Sequence, residues 1–473
     1  MLLKSIMAAI LGIAIAGQPA RAQSAGELLQ KGIYTQETVG DLDGAIRIYR
    51  QILTGSAESR AYAAQAQYRL GLCLQAKGDS AGAAQAFRKL VKEYPEQKEL
   101  LAKAQRKLPR INLAPGPWPD HEYAEYRIVA NGSEVSGTIV DSIEPSPNSP
   151  NRLILASRNS TAPAWYRVEV DRETLAPVSA WFKMGDNAVQ TEYQDGLVRM
   201  TVQGKPPRNL PVENGLYDGQ SFPFVIRRLP LEENYKASFP ILSEVGIPMP
   251  LEAKVKALED VEVPAGKFHC FKVVVDVSPV GAQTFWYTTD ASHTMAKFSI
   301  GTVDIELTHI STTGPEPTTH RGENGAVSFV APAAWIVDKP EVNGDVTEVS
   351  LTDPEGQSTY TRVYSMREKI APSEIDAFLR TRTAMKEKYP GDGVKNGYKI
   401  RPESVQRFQL KGYEALRAVA EYTTENKQPK VDWMTFVRTE NTRMTIWGQR
   451  IDPADLDKFV ERFQPIVDSL IVP

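Results

Sequence analysis

The side chains that could do chemistry are scattered along this chain rather than grouped in motifs. No nucleophile-elbow, zinc-protease, phosphate-loop or dinucleotide-binding pattern occurs, and no two carboxylates form an evident acid and base pair. His121-Glu122 lacks the second histidine that would place two metal ligands on one face of a helix. We therefore predict no catalytic residue, no metal and no cofactor, and we expect a protein that is not an enzyme.

The histidines and cysteines are also isolated in the sequence. His269, His293 and His309 fall near one another in the sequence and could converge on a metal, but His269 is followed by Cys270, and neighbours in a strand point to opposite faces. Cys73 and Cys270 belong to different predicted domains, so a disulfide, which needs Cα atoms within about 7 Å, is not expected. We predict two buried thiols. The five histidines are His121, His269, His293, His309 and His320.

The first 22 residues have the pattern of a signal peptide. Lys4 precedes an uncharged run of 12 residues, Ile6 to Gly17, which is too short to span a bilayer, and Ala20-Arg21-Ala22 supplies small residues for cleavage. We predict cleavage between Ala22 and Gln23, and an uncleaved anchor is the alternative. No cysteine lies near that point, so we expect an exported, periplasmic protein that is not a lipoprotein and does not span the membrane once processed.

The charge balance is nearly neutral overall and uneven along the chain. The sequence of 473 residues has 55 Lys+Arg against 58 Asp+Glu, which argues against nucleic acid as a partner. Residues 23–110, however, carry 14 basic and 9 acidic residues, a net charge of +5, and the remaining mature chain is near -10. This difference favours an acidic partner or docking within the chain, and a solvated surface is the simpler alternative.

A repeat opens the mature chain and predicts paired helices. The pattern G-D-x-x-G-A occurs at Gly40–Ala45 and again at Gly78–Ala83, and each copy is followed by a similar apolar run. The residues expected to pack the helices are Leu70, Gly71, Ala83, Phe87 and Pro95, together with Ala45 and Tyr49 of the first copy. With these residues, the predicted domain 23–112 resembles tetratricopeptide (TPR) repeats.

The TPR resemblance implies a concave surface that binds a peptide or a partner protein. The alternative is that two repeats only pack the module onto its neighbour. We predict that Arg47, Arg50 and Arg88 contribute to partner binding.

The middle of the chain, residues 118–312, has the alternating pattern of antiparallel strands. Runs such as Arg152–Ala156 and Phe271–Val277 are separated by turn pairs, and these predict an all-β antiparallel domain. The turn pairs are Asn131-Gly132, Asp195-Gly196 and Asn214-Gly215. Phe224-x-x-Arg227 and Val263-Pro-Ala-Gly266 make this region similar to the DUF3108 family of exported bacterial proteins, a resemblance that implies fold and compartment but no reaction.

Residues 322–473 predict an α+β domain. A helix beginning at Ser373 and a last helix beginning at Asp452-Pro453 flank four strands. This order, after the opening Phe329-x-x-Pro-x-x-Trp335, resembles the α/β/α sandwich of PsbP/Mog1-like proteins. The apolar stripe of the last helix is expected to pack on its own sheet rather than on a membrane.

We therefore expect a multidomain chain: N-terminal all-α TPR hairpins, a middle all-β antiparallel domain and a C-terminal α+β domain. The predicted function is a non-enzymatic protein of the cell envelope that makes protein contacts through the TPR module. The alternative is a carrier that shelters an apolar or lipid-like ligand in the β domain, and a hydrolase built from distant residues is a third reading. The carrier rests on the aromatic residues Trp165, Trp181, Phe182, Phe285 and Trp286.

Overall fold

The structure of the chain is a computed structural model. It describes residues 24–55, 60–108, 111–194, 196–213, 215–277, 281–322, 327–367, 379–380, 382–384 and 394–471. The predicted signal peptide with its cleavage point Ala22–Gln23, the start of the helix predicted from Ser373, and Asp195 and Asn214 lie outside these residues. The chain divides into two compact units, Met1–Leu108 and Pro109–Pro473. We call their described parts the helical module and the β unit.

The helical module contains the two helical hairpins that the repeat predicts and one further helix. A π-helical turn, Thr35–Val39, extends the first helix. Helix α3 contacts α2 and α4, and it also contacts α1 and α5, so that α1, α3 and α5 form one row of helices. The helices are α1 Ala25–Tyr34, α2 Leu42–Thr54, α3 Arg60–Ala76, α4 Ser80–Glu93 and α5 Lys98–Lys107.

The repeated G-D-x-x-G-A pattern is a helix stop followed by a helix start. Gly40 and Gly78 have φ values of 74° and 81°, the left-handed conformation in which glycine is favoured. Asp41 then caps α2 by accepting a hydrogen bond of 2.8 Å from the backbone N–H of Gly44, and Asp79 does the same for α4. A Cβ on Gly44 would lie 2.3 Å from the Asp41 carboxylate, which explains the second glycine of the pattern.

Each hairpin is closed by an aromatic ring packed against a glycine. A Cβ on Gly71 would lie 2.5 Å from the Phe87 ring, and one on Gly32 would lie 2.6 Å from the Tyr49 ring, so both glycines allow close approach. The first copy has one more residue than the second between its glycine and its ring. The π-helical turn lies in that interval, and such turns commonly absorb a single inserted residue.

The first sheet of the β unit contains 15 strands, β1 to β15. The predicted strands at 152–156 and 271–277 are confirmed within β3 and β12. The strands are β1 Glu122–Ala130, β2 Ser133–Pro145, β3 Arg152–Asn159, β4 Ala164–Asp171, β5 Pro177–Met184, β6 Asn187–Gln194, β7 Leu197–Val202, β8 Arg208–Pro211, β9 Tyr217–Asp218, β10 Lys236–Leu242, β11 Pro248–Val263, β12 Gly266–Val277, β13 Gly281–Thr288, β14 Met295–Ile300 and β15 Val303–Ser311.

The order of the first sheet follows the chain with one break. The order is β8-β7-β6-β5-β4-β3-β2-β1-β15-β14-β13-β12-β11-β10-β9, and its neighbours are antiparallel except β9 and β10. The turns at Asn131-Gly132 and Gly196 therefore join antiparallel neighbours as predicted. The prediction is wrong for Asn214-Gly215, because β8 and β9 occupy the two ends of the order. Long-range pairing, which a local turn pattern does not report, decides this connection.

A short helix, α6 Phe222–Arg227, fills the inner side of the first sheet. Its Phe222, Val225 and Ile226 share one core with side chains from β1 to β4 and from β9 to β15, so the sheet curves around the helix. Arg227, from the motif of the predicted family, forms an ion pair with Glu122 at 2.5 Å, and both side chains are buried. This motif residue therefore ties the helix to β1.

The second sheet contains nine strands of the β unit and carries the last helix. Seven strands have the order β18-β20-β21-β26-β25-β24-β22, and the other two pair at its side, β19 with β20 and β23 with β24. Strands β16 and β17 form a separate pair. The remaining strands are β16 Thr318–His320, β17 Phe329–Ala331, β18 Ile336–Val337, β19 Glu341–Asn343, β20 Val346–Thr352, β21 Tyr360–Arg367, β22 Val394–Ile400, β23 Gln406–Leu410, β24 Tyr413–Thr424, β25 Pro429–Arg438 and β26 Thr442–Ile451.

The last helix, α7 Leu456–Ser469, packs on the second sheet, as expected from its apolar stripe. Phe459 and Phe463 lie against Trp433, and Gly448 leaves room for the Phe459 ring. Its predicted start differs: Pro453–Asp455 is a 3-10 turn, and the side chain of Asp452 makes no capping hydrogen bond. That carboxylate instead accepts a hydrogen bond from Lys430 at 2.7 Å.

Candidate functional site

The helical module uses some of its cations for internal ion pairs and leaves others exposed. On α3, Arg60 pairs with Glu96 at 2.8 Å and Arg69 pairs with Glu37 at 2.7 Å. Lys77, just after this helix, pairs with Asp43. These pairs connect parts of the module that are distant in sequence, so their charges are committed to holding the helices together.

Five exposed cations lie on α2 and α4, and Lys31 of α1 and Lys98 of α5 are exposed as well. Arg47 and Arg50 are on α2, and Arg88 is on α4, followed by the exposed Lys89 and Lys92. Within residues 24–55 and 60–108, neither Arg50 nor Arg88 has an ion-pair partner. Lys77 lowers the pKa of the Asp43 carboxyl, and the nearby Arg47 adds a smaller lowering. We call these five cations the basic face.

The residues predicted to pack the repeats lie mostly inside the module. Only Pro95 is exposed, directly after α4. The others occupy one apolar core, and they are Ala45, Tyr49, Leu70, Gly71, Ala83 and Phe87.

Both cysteines are free and buried, which confirms the prediction of two thiols. Burial raises the pKa of Cys73 to about 11 and that of Cys270 to about 12. A thiol with such a pKa is almost entirely protonated near neutral pH, so neither side chain is an activated nucleophile.

The histidines do not gather in the structure. His269 is exposed and contacts Asp260 at 2.7 Å, whereas the neighbouring Cys270 is buried on the other face of β12. His320 is buried and packs against Phe329, with the two rings tilted by 31°. Among the described residues, no group of three or more His, Cys, Asp and Glu side chains could hold a metal ion.

The aromatic residues on which the carrier hypothesis rests lie in separate places. Phe285 stacks on Phe298 in the core of the first sheet, with ring centroids 4.6 Å apart. Trp286 donates a hydrogen bond of 2.5 Å to Glu259. Phe182 stacks on Tyr166, whereas Trp165 and Trp181 lie against Gly356. The aromatic residues therefore do not line one shared cavity.

A group of charged side chains between the two sheets, centred on the buried Asp186 and Lys430, is the feature that sequence reasoning missed. Asp186, in the turn after β5, binds Arg450 of β26 through an Nε–Oδ1 contact of 2.9 Å, and it lies 4.0 Å from Nζ of Lys430. Lys430 in turn binds Asp452. The Lys430 side chain has 0% exposure and that of Asp186 has 2%. We call Asp186, Lys430, Arg450 and Asp452 the buried ion network.

Beside this network, one loop of the second sheet fits against β4 and β5. Trp165 donates a hydrogen bond of 2.7 Å from its indole N–H to the carbonyl oxygen of Asp353, and Lys183 donates to that of Gly356. Gly356 has a φ of 64°, and a Cβ there would lie 2.9 Å from the Trp165 ring. The turn signal Asp353-Pro-Glu-Gly356 is visible in the sequence, but its partner ring is not.

Lys183, at this contact, has a pKa that is lowered towards neutral pH. Burial, followed by the charge of Lys430, lowers its pKa to about 8. A lysine of this kind can serve as a base or nucleophile. Here, however, its ammonium donates to a backbone carbonyl, lies 5.5 Å from the Trp165 ring and belongs to a side chain that is 4% exposed, so its surroundings are structural.

Comparison with known proteins confirms the two sequence resemblances. Residues 125–308 match the family described as "Protein of unknown function (DUF3108)", and residues 65–96 match a tetratricopeptide repeat. No curated protein matches the chain. In the residues that the structure describes, no helix is long and apolar enough to cross a membrane.

Several solved structures align with parts of the chain at low similarity. Cyanobacterial PsbP from Synechocystis sp. PCC 6803 has 12% identity and a TM-score of 0.26, with 34% of this chain and 94% of that chain covered. A β-barrel-like DUF1849 protein from Brucella abortus has 8% identity and a TM-score of 0.29, with 41% and 98% covered. At these TM-scores, the likenesses establish neither a shared fold nor a function.

Proposed function

We propose that this protein is a non-enzymatic, exported protein of the cell envelope that binds an acidic protein or peptide through the basic face of its helical module. The observation that carries the proposal is the division of cations within the module. Cations on and next to α3 are paired with carboxylates, whereas Arg50 of α2 and Arg88 of α4 are exposed and have no ion-pair partner within residues 24–55 and 60–108. Exposed cations without an ion-pair partner attract and orient an acidic partner.

The tetratricopeptide match supports a role in protein contacts, and the charge supports the kind of partner. Residues 23–110 carry the net charge of +5 on a chain whose remaining mature part is near -10. Because Arg50 and Arg88 are long, exposed side chains, they can reach carboxylates without moving the helices.

The absence of an enzymatic role is part of the proposal. Its support comes from the groups that could react: both thiols have raised pKa values, and Lys183 is enclosed by backbone and a tryptophan ring. The export pattern of residues 1–22 supports a periplasmic location, and a signal peptide cleaved before Gln23 would leave the basic face in that compartment. An α/β/α sandwich is proposed for the C-terminal part, with α7 as one outer layer.

The test is capture of partners from an envelope extract by the full chain. We expect the triple variant Arg47→Glu, Arg50→Glu, Arg88→Glu to capture at least 10-fold less partner than the wild type, because each reversal replaces attraction by repulsion. The matched control reverses three exposed lysines of the β unit, Lys205, Lys236 and Lys256, and changes the net charge equally.

The control decides between a local site and general attraction. Loss of capture in the arginine variant alone supports the basic face, and raised salt should weaken the wild-type capture. The proposal would be contradicted if both variants captured as much partner as the wild type, or if both lost the same amount of it.

A further inference from the structure

The two ends of the first sheet come together without backbone pairing. β8 and β9 are the terminal strands of its order, and among the described residues no backbone hydrogen bond joins β6–β8 to β9–β10. Side chains make the contact instead. Val198 and Met200 of β7 share a small apolar core with Leu216, just before β9, and with Leu242 of β10. We call this contact between the two ends of the sheet the seam.

Strand β9 is weakly held at the seam. It consists of two residues, Tyr217 and Asp218, which pair with β10 and, among the described residues, with no other strand. Neighbouring strands elsewhere in the sheet are joined by rows of backbone hydrogen bonds. Because the seam is closed by side chains, it can separate without breaking such a row.

The turn after β10 fits into the seam through a glycine. Gly246 has a φ of 83°, and a Cβ there would lie 2.5 Å from Sδ of Met200 and 2.8 Å from Cδ1 of Leu210. The residues on both sides of this glycine, Val245 and Ile247, are 59% and 58% exposed. The seam therefore has a tightly packed interior, and apolar side chains next to it already face the solvent.

A hydrogen bond crosses the seam beside the apolar contact. The hydroxyl of Tyr193 on β6 donates to Oδ2 of Asp218 at 2.5 Å. Burial raises the pKa of Tyr193 well above its usual value, so this hydroxyl keeps its proton. Asp218 also accepts a hydrogen bond of 2.8 Å from the backbone N–H of Gln220, and it is 6% exposed. Closure of the seam thus removes a carboxyl from water.

The charged side chain that acts on Asp218 is itself acidic. Burial raises the pKa of Asp218 to about 6, and Glu244 in the turn after β10 adds to the rise, whereas the hydrogen bonds from Tyr193 and Gln220 oppose it. Tyr193 and Glu244 are the titratable groups that face Asp218, and no basic side chain among the described residues offsets its charge. Ionised Asp218 therefore opposes closure of the seam.

We propose that the seam opens in a pH-dependent way: it is closed while Asp218 is protonated, and ionisation of this carboxyl favours the open state. In the open state, water hydrates the ionised carboxyl, which the closed seam prevents. Opening also uncovers the buried Met200 next to the exposed Val245 and Ile247, so an apolar surface forms as the pH rises. The basic face takes no part in this step, and the inference does not rest on the proposed function.

The direction follows from the two states of the carboxyl. In the closed seam Asp218 has a pKa of about 6, whereas the hydrated carboxyl of the open seam has the ordinary value of 3.8. Closure is fully favoured below pH 3.8, and this preference is lost as the pH rises through about 6. The two values predict about 10-fold more opening at pH 7 than at pH 5.

The test is oxidation of Met200 by hydrogen peroxide in the full chain, measured by mass spectrometry of its peptide. Met200 is 1% exposed, so its thioether becomes accessible when the seam opens. Free methionine in the same solution corrects for any effect of pH on the reagent. Met444, which is 0% exposed in the second sheet, is the internal reference. We expect the corrected rate at Met200 to rise about 10-fold from pH 5 to pH 7, while Met444 stays protected.

Two variants separate the effect of the carboxyl from that of the packing. Asp218→Asn should remove the pH dependence of oxidation at Met200. Gly246→Ala should raise the rate about 5-fold or more at both pH values, because the added methyl overpacks the seam. Its control is Gly132→Ala, which also has a positive φ, 78°, but has nothing within 4 Å of the added methyl.

Equal rates at Met200 at pH 5 and pH 7, or the same rise in the wild type and in Asp218→Asn, would overturn the proposal. Oxidation of Met200 no faster than that of Met444 at pH 7 would also overturn it, because both would then report unfolding of the whole β unit. Rapid oxidation of Met444 identifies a variant that fails to fold. In that case Glu244→Gln, at an exposed position, replaces Asp218→Asn and should make the rise smaller than in the wild type.

Discussion

The helical module and the β unit differ in whether charged side chains are buried. In the helical module, the ion pairs Arg60–Glu96 and Lys77–Asp43 lie at the surface, and the basic face is exposed. The β unit has surface pairs too, such as Lys267–Glu262, but it also places charged side chains inside the protein, in the buried ion network and in the pair Arg227–Glu122.

This difference separates charge used for binding from charge used for structure. An exposed ion keeps most of its hydration, so a surface pair adds little stability and an unpaired surface cation costs nothing. A buried ion has lost its hydration and depends on its partner. The β unit therefore depends on its charges, whereas the helical module can offer some of its own to a partner.

The largest expected effect comes from breaking the buried ion network. Asp186→Ala would leave Arg450 without its carboxylate, and the loss of one partner from a buried pair costs about 3–5 kcal/mol. Urea unfolding followed by tryptophan fluorescence measures this cost, because all seven tryptophans belong to residues 109–473.

The matched change in the helical module is Asp43→Ala, which removes the partner of Lys77. The helices should unfold at nearly the same urea concentration as in the wild type when followed by far-UV circular dichroism. A cost for Asp43→Ala as large as that for Asp186→Ala would remove the distinction between the two regions.

A smaller effect, with the opposite sign, is expected at Asp218. This carboxylate accepts hydrogen bonds from Tyr193 and from the backbone of Gln220, but burial raises its pKa from 3.8 to about 6. The native state thus binds the proton more tightly than the unfolded state. Its contribution to stability is fully present below pH 3.8 and is lost as the pH rises through about 6.

Asp218→Asn should accordingly raise the free energy of unfolding at pH 7 by on the order of 1 kcal/mol or more, since one pKa unit corresponds to about 1.4 kcal/mol. The variant should also lack the gain that the wild type makes between pH 6 and 4 at this site. Asp276→Asn, at an exposed position of β12, is the control and should change neither quantity. A destabilised Asp218→Asn variant at pH 7 would show that the ionised carboxylate is needed.

Local patterns in the sequence predicted the elements whose contacts are also local. The G-D-x-x-G-A repeat, the packing residues Gly71 and Phe87 and the turn at Asn131-Gly132 all involve residues within one hairpin. Turn chemistry and periodicity carry enough information for these features.

Contacts between distant segments could not be predicted in this way. Asp186 and Lys430 belong to regions that the sequence divides into separate domains, and nothing near either residue indicates the other. Asp452 shows how tertiary contacts override a local rule: its position before Pro453 predicts a helix cap, but its carboxylate binds Lys430 instead. A cleft lined by residues of both sheets, among them Ser160 and Ser350, could not be predicted for the same reason.

We expect the buried charges between the two sheets of the β unit to join them into one cooperative body. Hydrogen exchange of the full chain at increasing urea, read by mass spectrometry on peptides from β4–β5 and β25–β26, tests it most directly. Both sets of amides should open with the same free energy and lose protection at the same urea concentration. Loss of protection in β25–β26 while β4–β5 remains protected, or the reverse, would contradict the claim.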